Sequence, residues 1–152
     1  MSYLVDTNAI LRFFDLTDSR NAEVVGALDV ITDDTEEVYV CAQVIIEYWA
    51  VATRPREANG MGLSIAEATE KLDKIGKLFP CLPEPPDVAR IWREVVGKHS
   101  VCGKQAHDAR LVSLMLAHGV TRLLTLNPGD FARYQEITVV TLQEILQTGT
   151  GS

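Results

Sequence analysis

The chain has 152 residues, 47% of them hydrophobic, with a formal net charge of −7 and three cysteines. That length favours one domain with a core of its own, and no apolar run approaches the ~20 residues of a membrane span. The acidic balance argues against a non-specific nucleic-acid binder, which is usually basic, unless several acids are metal ligands, because a bound dication inverts the local field.

The start, Met1-Ser2-Tyr3, has no basic n-region, so the expectation is a chain that nothing addresses outside the cytosol. Tyr3-Leu4-Val5 reads as a first strand buried on both faces, ending at Asp6. Residues 8–14 read as a helix that starts on Thr7 or Asn8, and residues 21–31 as a second helix. Val38-Tyr39-Val40-Cys41 is β-branched and aromatic, which suits a strand. Residues 43–53 form a helix stopped near Arg54-Pro55, and residues 57–63, with Asn59-Gly60 and Gly62, form a loop. Ser64 with Glu67 three residues on is a capping-box pattern. Ile65, Ala68, Leu72, Ile75 and Phe79 then repeat at helical spacing. This apolar face is expected to pair with residues 44–52, within one chain or across two.

Cys81-Leu82 between prolines suits a short edge strand. Residues 86–98 form a helix with Pro near its start. Residues 100–104 are a loop, and residues 105–118 a helix ended by Gly119. Leu123-Leu124-Thr125-Leu126 and Ile137-Thr138-Val139-Val140 are the last strands, and Thr141 caps a final short helix. No repeat or internal boundary interrupts this order, so the expectation is one domain over 1–147 with a disordered tail at 148–152. Cys41, Cys81 and Cys102 are far apart and form no Cys-x-x-Cys pair, which argues against a zinc or disulfide framework, and they are expected to be small buried hydrophobes.

Alternating strands and helices make an α/β protein, and such sheets bind ligands beyond the carboxyl ends of their strands. Four acids fall where they can meet there. Asp6 ends the first strand, Glu47 lies in an apolar helical run, Asp108 sits in the first turn of a helix, and Asp130 follows the turn Asn127-Pro128-Gly129. Each has a plainer use. Asp6 is a natural helix cap, although Thr7 or Asn8 can do that job and leave it free. Asp108 suits a helix dipole, and Asp130 suits a turn. Glu47, between Ile46 and Tyr48, needs a partner or a metal if it faces inward. Together the acids repel one another unless a cation sits among them, and hard oxygen donors suit Mg²⁺ or Mn²⁺.

His107 is beside Asp108, but neighbours on a helix face different ways, so a structural or supporting use is expected. His99 and His118 are expected at the surface or in loops. Arg54, Arg56, Lys104, Arg110 and Arg133 are candidate phosphate contacts. There is no Gly-x-Gly-x-x-Gly, no Walker-type Gly-Lys-Ser/Thr and no nucleophile elbow.

Four segments in order, residues 3–11, 43–48, 103–111 and 124–131, span nearly the whole chain. They are Tyr3-Leu4-Val5-Asp6-Thr7-Asn8-Ala9-Ile10-Leu11, Gln43-Val44-Ile45-Ile46-Glu47-Tyr48, Gly103-Lys104-Gln105-Ala106-His107-Asp108-Ala109-Arg110-Leu111 and Leu124-Thr125-Leu126-Asn127-Pro128-Gly129-Asp130-Phe131. As an ordered set the chain resembles the PIN-domain endoribonucleases, specifically the VapC-type toxins of type II toxin–antitoxin systems. The resemblance implies a five-stranded parallel sheet of order 3-2-1-4-5 flanked by helices. It implies that Asp6, Glu47 and Asp108 bind Mg²⁺ or Mn²⁺ with Asp130 as the fourth acid, and that Asn8 and Thr125 support the site. It also implies an RNA substrate, with Arg54, Lys104 and Arg110 as contact candidates, a cognate antitoxin, a homodimer and a cytoplasmic place of action. Asn127 competes with Asp130 for the fourth position. A carboxylate binds a hard dication better than a neutral amide, and Phe131 is the apolar anchor that would fix the direction of Asp130.

Three rivals remain. An aspartyl phosphatase resembles Asp-x-Asp-x-Thr after strand one, but Asn8 stands at the third position. A signalling receiver wants paired acids there and an Asp after strand three, and neither is present. A degenerate PIN-like module that only binds RNA or a partner is the non-enzymatic alternative.

Overall fold

The computed structural model describes residues 2–34 and 36–150. Its centre is a five-stranded sheet of β1 (Ser2–Val5), β2 (Glu37–Cys41), β3 (Cys81–Leu82), β4 (Arg122–Leu124) and β5 (Thr138–Val140). The order is β3-β2-β1-β4-β5 and every pairing is parallel. Among the described residues seven α-helices cover it: α1 (Thr7–Phe13), α2 (Asn21–Asp33), α3 (Ala42–Thr53), α4 (Ile65–Leu78), α5 (Val88–His99), α6 (Ala106–His118) and α7 (Leu142–Thr150). Parallel strands need crossover connections, and helices on both faces leave the interior of the central strands apolar. Leu4, Val5, Val40, Leu123 and Leu124 are accordingly almost free of solvent. Each such side chain contributes on the order of 1.5–3 kcal/mol on burial.

The local signals behave as their chemistry dictates. Ser64 and Glu67 form a reciprocal capping box at the start of α4, and Gly119 ends α6 in the left-handed region at φ 69°. Gly60 is required by close approach, because a Cβ there would stand 2.0 Å from the Arg54 carbonyl oxygen. A 3-10 turn, Arg56–Ala58, overlaps the start of the expected loop at 57–63. β4 is shorter than its sequence suggests: after Leu124, whose carbonyl accepts the Asp6 N–H at 2.9 Å, Thr125 turns its hydroxyl to a side-chain partner. α4 packs against α3 within the one chain. Ala68 and Ile75 are buried in that seam, whereas Ile65 is 64% exposed and lies outside it.

Two expectations need correction. Only Cys41 is buried; Cys81 and Cys102 are exposed, the first because it sits on the edge strand. His99 is neither a surface nor a loop residue: it ends α5 with a side chain only 11% exposed, and its Nε2 lies 2.9 and 3.0 Å from the two carboxylate oxygens of Glu136. α7 spans Leu142–Thr150, and residues 151–152 of the expected tail lie outside the described residues. No described helix is long and apolar enough to cross a membrane.

Candidate functional site

β1 pairs with β2 on one side and β4 on the other, so the chain order reverses between β1 and β4. Ligands of open parallel sheets bind at such a switch point, outside the strand ends. Asp6 leaves β1 there, and Thr125 leaves β4 beside it.

Asp6 is buried at 9% exposure, and both its oxygens are engaged. Oδ1 accepts the Thr7 N–H at 2.8 Å, which caps α1, and Oδ2 accepts the Thr125 hydroxyl at 2.9 Å. The expectation that Thr7 or Asn8 would cap this helix and free Asp6 is therefore overturned. Thr7 turns its hydroxyl to Glu47 instead, and Asn8 turns its amide to the β4 end. Thr125, 1% exposed, is the hub of that corner. Its oxygen also accepts the Asn127 N–H at 3.1 Å and the Asn8 side-chain amide at 3.3 Å. Asn8 Oδ1 accepts the Leu126 N–H at 3.1 Å.

Glu47, half-buried, points inward from α3. Its Oε2 accepts the Thr7 hydroxyl at 2.8 Å, and its Oε1 accepts the Gln43 amide at 3.0 Å. The second Gln43 proton goes to the main-chain carbonyl of His107 at 2.8 Å. One buried amide thus ties Glu47 to the first turn of α6, one residue before Asp108. It is this His107 carbonyl, and not the exposed imidazole, that takes part in the framework. Gln43 and Thr7 were not singled out as site residues by the sequence; the only signal was the i, i+4 spacing of Gln43 and Glu47.

Asp108 and Asp130 have no hydrogen-bond donor on their carboxylates among the described residues, and Asp130 is exposed. The four acids nevertheless share one field. Burial pushes Asp108 up from the ordinary 3.8 to about 6, and the charges of Asp6, Asp130 and Glu47 push in the same direction. Asp6 is raised too, first by burial, against the lowering effect of its bonds from Thr125 and Thr7, and further by Glu47 and Asp130. No three His, Cys, Asp or Glu side chains among the described residues stand close enough to hold an ion as they are. The donor chemistry fits a hard dication all the same: two acids are fixed by hydrogen bonds, two are free to turn toward them, and the mutual repulsion is what a cation relieves.

Of the basic candidates, Arg54 and Lys104 are exposed. Arg110 donates to Glu84 at 2.7 Å, and Arg133 donates to Gln105 at 2.8 Å, so both already have partners.

The family model described as PIN domain matches residues 3–137. Among solved structures the chain is similar to VapBC2 from Rickettsia felis bound to a DNA fragment from its promoter, with a TM-score of 0.72 and 14% identity, covering 93% of this chain and 98% of that one. A DNA-bound VapBC from Salmonella typhimurium gives a TM-score of 0.68 and 13% identity, covering 93% and 98% of the two chains. VapC20 of Mycobacterium tuberculosis, described as a sarcin-ricin-loop-cleaving toxin, gives 0.53 and 15%, covering 80% and 86%. At these identities the likeness speaks for the fold. A comparison with curated protein sequences finds no match.

Proposed function

Because the chain belongs to the PIN domain family, we propose that it is a metal-dependent endoribonuclease acting as the toxin of a toxin–antitoxin pair. The observation that carries this reading is the shared field of Asp6, Glu47, Asp108 and Asp130 at the switch point of the sheet. The likeness to VapBC complexes and to an RNA-cleaving VapC supports it.

The four acids would hold Mg²⁺ or Mn²⁺, which when bound would supply a water of lowered pKa and neutralise charge on the phosphoryl oxygens. The chain's own contribution is orientation. Thr125 holds Asp6, and Thr7 with Gln43 holds Glu47. Asn8 locks the end of β4. Asp130 is the fourth acid, with Asn127 as the support that bonds Thr125 through its main chain. Arg54 and Lys104 are free to meet RNA phosphates, and Arg110 reaches substrate only from its pair with Glu84.

The cognate antitoxin would present an Arg or Lys to the acids, which suits the net charge of −7. A homodimer is the simplest assembly, since two-fold pairs are the commonest symmetric oligomers, and the cytoplasm is where such a pair would act. The competing reading is a PIN-like module that binds RNA or a partner without cutting it, favoured by the open spacing of the acids. Purified protein given single-stranded RNA separates the two. Cleavage with Mg²⁺ or Mn²⁺ that stops in EDTA supports the nuclease; binding without cleavage at any metal concentration leaves the binding module.

A further inference from the structure

Between α5 and α6 lies a cavity of about 380 Å³ with largely apolar walls. Ala89 and Trp92 form its α5 side, Ala106 and His107 its α6 side, and Arg110 and Glu84 stand at its rim. We propose that this cavity receives an unpaired nucleobase of the RNA, one that flanks the phosphate addressed by the acids. The proposal rests on the nuclease reading and names the part of the substrate that the acids do not touch.

The first argument is the indole. Trp92 donates its ring N–H to the Ala106 carbonyl at 2.9 Å. That bond uses the ring's only polar atom and fixes its plane across the two helices. What remains for a ligand is a flat π-face, and aromatic faces stack on any base.

The second is the rim. Arg110 uses Nε for Glu84 at 2.7 Å, and neither of its terminal nitrogens has a partner among the described residues. Donors therefore lie beside a carboxylate acceptor at the mouth of an apolar slot. A base matches that pattern, with apolar faces and an edge of mixed donors and acceptors. An aliphatic side chain would leave these polar groups desolvated and unpaired, which costs free energy.

The third is position. His107 lines the cavity and immediately precedes Asp108. The His107 carbonyl is held by the same Gln43 amide that holds Glu47. One amide thus ties the cavity wall to the acid site, and a ligand that spans the two with a phosphate at the acids and a flat ring in the cavity has the chemistry of a nucleotide. A chain with a net charge of −7 gains little from general attraction to phosphates, so stacking is the source of affinity left to it. The volume is near the low end of the ~300–1,000 Å³ of small-ligand pockets, which suits one ring system.

Two measurements decide it. In the metal-free full chain, adenosine, cytidine and uridine are titrated while the two indole N–H resonances are followed by NMR, with ribose as the base-free control. A saturable shift of the Trp92 resonance, with Trp49 unmoved and ribose without effect, is expected. No shift, or the same shift from ribose, overturns the proposal. A Trp92 shift that tracks protein concentration without nucleoside assigns the cavity to a second copy and also overturns it. The second measurement is Ala89→Trp, which fills the slot from the exposed side of α5. It should abolish the nucleoside response and raise KM for RNA by about tenfold or more, the scale of one stacked base, with kcat within about twofold. An unchanged KM in an active enzyme overturns the proposal. If the wild-type protein cuts no RNA with Mn²⁺, the nuclease reading fails, and the nucleoside titration alone decides the cavity.

Discussion

Gln43 and Glu47 face each other one helical turn apart, with Nε2 3.0 Å from Oε1, while the other Gln43 proton reaches across to the His107 carbonyl at 2.8 Å. Gln43 is only 6% exposed, so no water replaces those bonds when the side chain is shortened or made apolar. Gln43→Leu should therefore act on metal affinity before it acts on anything else. Supporting groups of this kind typically cost about 10–100-fold in metal affinity when removed. The Mn²⁺ concentration for half-maximal cleavage should rise within that range. A shift under about threefold would make the amide a packing group only.

Thr125 gives a second test of the same logic on the other side of the site. Thr125→Val keeps the shape and removes the hydroxyl that serves Asp6, Asn8 and Asn127. Leaving these groups unpaired in a buried corner should cost roughly 1–3 kcal/mol of stability. Cleavage should fall with it, and Thr125→Ser should restore most of both. Denaturant melts of the three proteins check the first part, and RNA cleavage the second. A Val variant as stable and active as wild type removes Thr125 from the site.

Much of the scaffold was legible because its signals are local. The Ser64–Glu67 capping box, the Gly119 stop and the apolar run of β1 each need only a few neighbouring residues. The detail of the site was not, because long-range partners decide it. Asp6, Thr7 and Asn8 all suit a helix cap; Asp6 caps while also bonding Thr125, 119 residues away, and Thr7 bonds Glu47, 40 residues away. The two donations of Gln43 stayed hidden for the same reason, since one acceptor lies on α6. Cys81-Leu82 was legible as an edge strand from its flanking prolines, and β3 does pair with β2 alone; Cys81 was misjudged as buried because its burial was read from residue type and not from that edge position.

Acid repulsion should be visible as a pH dependence of stability in the metal-free protein. Asp108 is raised from 3.8 to about 6, so between these values the native state binds more protons than the unfolded chain. Its contribution is favourable below the lower value, is lost as pH rises through the upper one, and is flat beyond. Asp6, raised as well, adds a slope of the same sign. Asp108→Asn removes the larger of these effects and should stabilise the metal-free protein at pH 7. Because the side chain is only half-buried, solvent screening reduces the gain to about 1 kcal/mol. Saturating Mn²⁺ should reverse the ranking, with wild type gaining stability that the variant does not. Thermal melts with and without metal test this, and a variant less stable than wild type in EDTA would show that the acids do not repel.

The fourth acid position separates two residues that leave the same strand. Asp130 and Asn127 are both exposed, and the Asp130 N–H bonds the Asn127 carbonyl at 3.1 Å inside the 3-10 turn Pro128–Phe131. Asp130 acts electrostatically on both Asp6 and Asp108, and its carboxylate has no other partner among the described residues. Asn127 is held to the Thr125 hydroxyl by its own main-chain N–H at 3.1 Å, so its position depends on the backbone and survives loss of its side chain. Phe131, 1% exposed, anchors the turn next to Asp130. A carboxylate also outbids an amide for a hard dication. Asp130→Asn should therefore raise the Mn²⁺ requirement for cleavage by about 10-fold or more, with little loss of fold. Asn127→Ala should leave that requirement near the wild-type value and lower stability by less than about 1 kcal/mol. A matched Mn²⁺ titration of the two variants gives the ranking, and the reverse order moves the fourth position to Asn127.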